Sequence, residues 1–237
     1  MTSRSAWRWC ALAGLATLTI SVMFGRVPGL VACGDTGGAG PIIALELVRS
    51  AADVAALFGS EPCTSRLIAA QREALWLDML GFIPAYLTFL LSAVAALRRA
   101  SLGLIMALFS AITFAGAFDF IEGLILFKLL GNLPGDQRTF TGLFWTVRPK
   151  FALLAASELM IALILWRGAP VAKIAAGVIG AGGVVALVHL LRAPHDPAMM
   201  RGHAVAWGAL LVTAAIGSVR PAVPGLPERR LMAAAKP

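Results

Sequence analysis

Residues 111–130, AITFAGAFDFIEGLILFKLL, constrain this chain more than any other stretch, because they are apolar enough to cross a bilayer yet contain Asp119 and Glu122. Three residues apart, the two carboxylates share one face of a helix. In hydrocarbon such groups are tolerated only where protein partners, water or a metal meets them, so this segment must face other helices. Composition agrees: 59% of the 237 residues are hydrophobic, against roughly 45–50% in soluble domains, and the mean hydropathy is +0.84. The formal net charge of +8 argues for membrane flanks and against nucleic acid, since Lys and Arg are scattered between apolar spans. The expected fold is an all-α polytopic transmembrane helical bundle of about six spans, with an amphipathic surface helix in the first loop.

Taken in order, residues 1–25 form a first transmembrane helix or an uncleaved signal anchor, with the apolar run 7–24 following Arg4 and including Arg8 at its start. Leu30-Val31-Ala32-Cys33 has the form of a bacterial lipoprotein cleavage box, but Arg26 and Pro28 separate it from the apolar run, which favours a retained anchor over lipidation of Cys33. Residues 26–73 are polar enough to lie outside the bilayer. Within them 41–58 predicts one amphipathic helix, with Ile43, Leu47, Ala51, Val54 and Phe58 on one side and Glu46, Arg49, Ser50 and Asp53 on the other. Cys33 and Cys63 flank that helix and would close the loop as a disulfide in an oxidising compartment, whereas Cys10 reads as a small buried residue.

The core, residues 74–167, holds spans two to four. Span two (74–97) carries Asp78, Tyr86 and an interior Pro84 that should bend it and free the carbonyl of Leu80. Span three covers 102–129, and span four covers 147–166 with Pro149 in its first turn. Residues 168–220 add span five (170–191), with a small-residue ridge of Ala172, Ala176 and Gly180 beside Gly177, then a polar connection (192–203) and a short span six (204–219). Residues 221–237 read as a flexible basic tail. All six tryptophans fall near predicted span ends, as in an interfacial belt.

Positive residues divide equally between the two sides, but their placement in short segments on one side, together with the cysteine pair, favours a multi-pass protein of the cell (inner) membrane with both termini cytoplasmic. Because adjacent spans alternate, Asp78, Asp119, Glu122, Arg148, Lys150 and His189 lie toward one surface, joined by His195, Asp196 and His203. The candidate intramembrane polar cluster is Asp78, Tyr86, Asp119, Glu122, Arg148, Lys150, Glu158 and His189. Its acids and His189 offer oxygen and nitrogen ligands for a divalent metal, but no His-x-x-His or Glu-x-x-His pattern accompanies them, and an ion pair with Lys150 or Arg148 is favoured. Glu158, nearest the midplane, is either a proton carrier or a hydrogen-bonded acid. His195-Asp196 lacks an activated Ser or Cys, and neither a phosphate-binding glycine loop nor a Cys-x-x-Cys occurs. No catalytic residue and no cofactor is implied.

Leu45-Glu46-Leu47 with Arg49-Ser50, Leu77-Asp78 with Phe82 and Tyr86, Phe118-Asp119 with Glu122, and Lys150-Phe151-Ala152-Leu153-Leu154 together resemble an uncharacterised family of bacterial multi-pass integral membrane proteins. The resemblance covers residues 44–165, and Gly123 stands where similar proteins tend to have Asn. It implies a four-span core to which spans five and six are additions, and it brings no activity. The leading expectation is a non-enzymatic accessory or interaction protein, embedded in the lipid bilayer, compatible with a membrane-protein partner, and with an architectural charge cluster. The alternatives are a small-solute or proton-coupled transporter, which needs a water-filled cavity reaching Glu158, and a metal-dependent intramembrane enzyme.

Overall fold

The computed structural model describes residues 3–97 and 100–220; Arg98, Arg99 and the expected basic tail 221–237 lie outside the described residues. Every regular element among the described residues is a helix: α1 (Ser3–Phe24), α2 (Gly40–Glu46), α3 (Ala51–Phe58), α4 (Cys63–Ala96), α5 (Leu102–Gly131), α6 (Gln137–Leu165), α7 (Pro170–Arg192) and α8 (Ala198–Val219). The six long helices close a ring in the order α1, α4, α5, α6, α7, α8, with α8 returning to pack on α1. Arg4 locks that closure by donating to the carbonyls of Ser218 (3.2 Å) and Val219 (3.0 Å). Trp7 leaves the expected interfacial belt and packs, fully buried, over Gly217, where a Cβ would come 2.7 Å from the indole.

Among the described residues five helices, α1, α4, α5, α7 and α8, are long and apolar enough to cross a membrane, which corrects the expected six. The exception is α6, long at 29 residues but interrupted by Arg148, Lys150 and Glu158. It is packed between α5 and α7, and it turns Lys150 (3% exposed) and Glu158 (1% exposed) into the protein interior. Its start is also ten residues earlier than expected, because the Asp136 side chain accepts from the Thr139 backbone N–H (2.8 Å) and hydroxyl (2.6 Å) and caps the helix there. Pro149 consequently lies inside the helix, not in its first turn.

Three further boundaries differ. The expected single helix over 41–58 is broken at Leu47 to Ser50: Ser50 accepts from the Asp53 N–H (3.2 Å) and Asp53 accepts from the Arg49 N–H (2.7 Å), a reciprocal cap that starts α3 anew. The break turns Glu46 from the polar side to an 8% exposed position inside the protein. Helix α4 begins at Cys63, well before the expected residue 74, and the Cys33–Cys63 disulfide joins that start to the loop. Helix α8 begins at Ala198, whose N–H is held by Asp196 (2.8 Å), so His203 is a buried helical residue and not part of a polar connection.

The proline of α4 is accommodated by a single π turn, Asp78–Phe82, in which the Ile83 N–H bonds the Asp78 carbonyl. In regular α-helix the Pro84 ring would press on the carbonyl four residues back. Widening the preceding turn relieves that contact, and such turns recur at functional sites. The ridge of α7 also differs: Gly177 faces open space, and the closest approach to α8 is made by Gly182 and Gly202, where a Cβ on either would lie 2.6 Å from the other's carbonyl oxygen. Without side chains there, the two backbones pack directly.

Candidate functional site

The ring of helices brings one ammonium and several acids to one place. Lys150 of α6 donates to Asp119 Oδ1 of α5 (3.0 Å) and to Glu46 Oε2 of α2 (3.0 Å), and its Nζ stands 2.7 Å from Glu122 Oε2. Asp119 in turn accepts from the Tyr86 hydroxyl of α4 at Oδ2 (2.9 Å). The Phe151 ring lies 4.5 Å from the same ammonium. Three acids reach α6 from two different elements because the i, i+3 pair of α5 faces inward and the broken loop helix drops Glu46 onto the bundle. Burial raises the Glu46 carboxyl above its ordinary range, the Lys150 ammonium opposes that rise, and the Asp119 carboxylate adds to it. Gly123 lets α4 approach these acids, since a Cβ there would come 2.9 Å from Met79 Sδ.

Beside this group is a cavity of about 450 Å³, within the roughly 300–1,000 Å³ common to small-molecule sites. Asp78, Asp119, Glu46 and Lys150 supply its charged wall. Phe82, Tyr86 and Trp207 form an aromatic corner, with ring centroids 5.5 Å apart for Phe82 and Tyr86, 5.5 Å for Tyr86 and Trp207, and 6.2 Å for Phe82 and Trp207. The first loop borders it through Leu30 and residues 39–43, and α8 contributes His203. His203 is 4% exposed, its Nδ1 pairs with Glu158 Oε1 at 2.8 Å, and its Nε2 has no hydrogen-bond partner.

Of the candidate cluster, Asp78, Tyr86, Asp119 and Lys150 line this cavity, and Glu122 is held behind Lys150. Three others go elsewhere. Arg148 stacks on Phe144 (4.8 Å), which it shares with Arg49 (5.5 Å), and forms no ion pair with the acids among the described residues. Burial and the facing Arg148 lower the Arg49 guanidinium from its ordinary value. His189 pairs with Asp196 at 3.5 Å. Glu158 does not line the cavity and meets it through His203; Gly183 leaves room for it, since a Cβ there would sit 3.2 Å from Glu158 Oε2.

Glu46, His203 and Trp207 were not in the sequence-based cluster. The signal for Glu46 was an acid flanked by two leucines, and for His203 its place between Gly202 and the small and apolar run 204–207. The centre of the acid group is occupied by the Lys150 ammonium, and no three His, Cys, Asp or Glu side chains among the described residues are grouped as metal ligands. Comparison with protein families, curated proteins and solved structures gives no match, so the chemistry of this site is read from its own residues.

Proposed function

We propose that this protein receives a small solute in the cavity enclosed by its helical ring, as a solute-binding or transporting protein of the inner membrane. The observation that carries the reading is the cavity itself. It is large enough for a small molecule, it is walled by α1, α4, α5, α6, α8 and the first loop, and charged groups lie at one side of an otherwise mainly apolar surface. A purely accessory protein has no need of such a space. The Lys150 group is architectural in this reading: it ties the loop helix to α5 and α6 and gives the cavity a rigid charged wall. The disulfide supports an extracytoplasmic first loop, and therefore a cavity bordered from that side.

Thiol accessibility tests the reading. Cys10 is buried and Cys33 and Cys63 are bonded, so one introduced cysteine is the only reactive thiol in the folded protein. Met200 lines the cavity, and its neighbour Met199 is fully buried away from it. A membrane-impermeant maleimide applied from outside intact cells is expected to label Met200→Cys and to spare Met199→Cys. Equal labelling, or none at position 200, removes the water-accessible cavity and returns the accessory-protein reading.

A further inference from the structure

We infer that the cavity takes a protonated lipophilic amine, its N–H groups directed at Asp78 and His203 and its carbon body against the aromatic corner; this rests on the solute-binding reading and names the class of solute. Three independent features point the same way.

The first is charge. Glu46, Asp78, Asp119 and Glu122 face a single ammonium, that of Lys150, whose contacts go to three of the four. Asp78 forms no ion pair among the described residues, although it lines the cavity. The other nearby cations, Arg49 and Arg148, stack on Phe144 and do not line the space. A cation entering the cavity therefore meets an uncompensated acid, whereas an anion would be placed beside several carboxylates.

The second feature is the aromatic corner. Phe82, Tyr86 and Trp207 present ring surfaces around one part of the cavity, and the negative faces of such rings attract organic cations within about 6 Å. An aromatic corner beside an acid suits an alkylammonium better than a hydrated metal ion, because the ligand must also cover the apolar side chains of Ile43, Leu154 and Met200.

The third is His203. With Nδ1 assigned as the donor to Glu158 Oε1 at 2.8 Å, Nε2 is the ring nitrogen left without a partner and is taken as the acceptor. That nitrogen is buried without a partner on a residue that lines the cavity. A ligand with more than one N–H can donate to it and also to Asp78, which lines the same cavity. Buried polar atoms without partners are uncommon enough that one on a cavity-lining residue points to what fills the cavity.

The test uses the full-length protein in nanodiscs of zwitterionic lipid, with empty nanodiscs as the partition control. Three probes of matched chain length are compared by equilibrium dialysis: octylamine, octanol and octanoate. The amine is expected to bind saturably, about tenfold or more tighter than octanol, with octanoate weakest; tenfold corresponds to about 1.4 kcal/mol. Asp78→Asn should abolish the preference for amine over octanol while leaving octanol binding unchanged. Trp207→Leu should weaken the amine more than the alcohol, and it serves if the Asp78 variant does not fold. Equal binding of amine and octanol, or tighter binding of octanoate, overturns the cation assignment and leaves the solute-binding cavity standing. No saturable binding of any probe, together with an unlabelled Met200→Cys, overturns both.

Discussion

Lys150→Met is the perturbation from which most can be learned. The lysine is 3% exposed and stands within 3.0 Å of carboxylate oxygens of Glu46, Asp119 and Glu122. Methionine keeps most of the volume and removes the charge, leaving three buried acids facing one another. Removing one member of a buried ion pair costs about 3–5 kcal/mol, and taking ~2–4 °C per kcal/mol for a chain of this size the melting temperature should fall by roughly 6–20 °C. Glu122→Gln removes one acid and should cost less, about 1–3 kcal/mol, because an amide still reaches a neighbouring polar group. The double variant is the decisive measurement, since the loss of Lys150 matters partly through the charge it leaves on Glu122. It should be more stable than the sum of the two single losses predicts, by about 0.5–3 kcal/mol of coupling. The assay is thermal unfolding in nanodiscs, followed by tryptophan fluorescence and by size-exclusion of the heated sample. Strict additivity, or three variants as stable as the parent, would refute the view that this group holds α2, α5 and α6 together.

Three other outcomes are expected. In denaturant without reduction, intact mass should show one alkylated thiol, Cys10, and three after reduction, and Cys63→Ser should destabilise by roughly 3–4 kcal/mol given the separation of 30 residues; a second and third free thiol in native protein, or a lipid on Cys33, contradicts this. Gly182→Ala should destabilise by about 1–3 kcal/mol, since its Cβ would lie 2.6 Å from the Gly202 carbonyl of α8, and unchanged melting would show that the two helices part easily. The two hydrogen bonds from Thr139 hold the Asp136 carboxyl below its ordinary range, so its contribution is present above the unfolded value and is lost as pH falls through the folded one. The stability gap between the parent and Asp136→Ala should therefore narrow on acidification, and a gap independent of pH would contradict the cap.

The class of fold was readable because hydrocarbon leaves so little choice. Long apolar runs in this medium can satisfy their backbones only as helices, and acids inside such runs must look inward, so the stretch holding Asp119 and Glu122 already implied a bundle. The ends of α1, α5 and α7 were likewise within a few residues of expectation, since apolar runs end where turn signals begin. What failed were boundaries decided by local hydrogen bonds. The caps at Ser50 and Asp136, and the turn in which Asp196 accepts from the Ala198 N–H, start helices where periodicity alone does not.

The sequence by itself determined that this is a helical membrane protein, that two acids of α5 share a face, and that cysteines stand at both ends of the first loop. Only the tertiary structure decided which partners those groups meet. Arg148 and Lys150 are two residues apart and both were candidates for the acids, Lys150 first, but their separation along α6 points them in different directions, one to Phe144 and one to the carboxylates. Glu46, His203 and Trp207 reach the cavity from segments far apart in the chain, and no local pattern encodes such a meeting. Local composition sets how each segment must sit in lipid, whereas a ring of helices sets which faces look at one another. The cavity is a property of that ring and of no single segment.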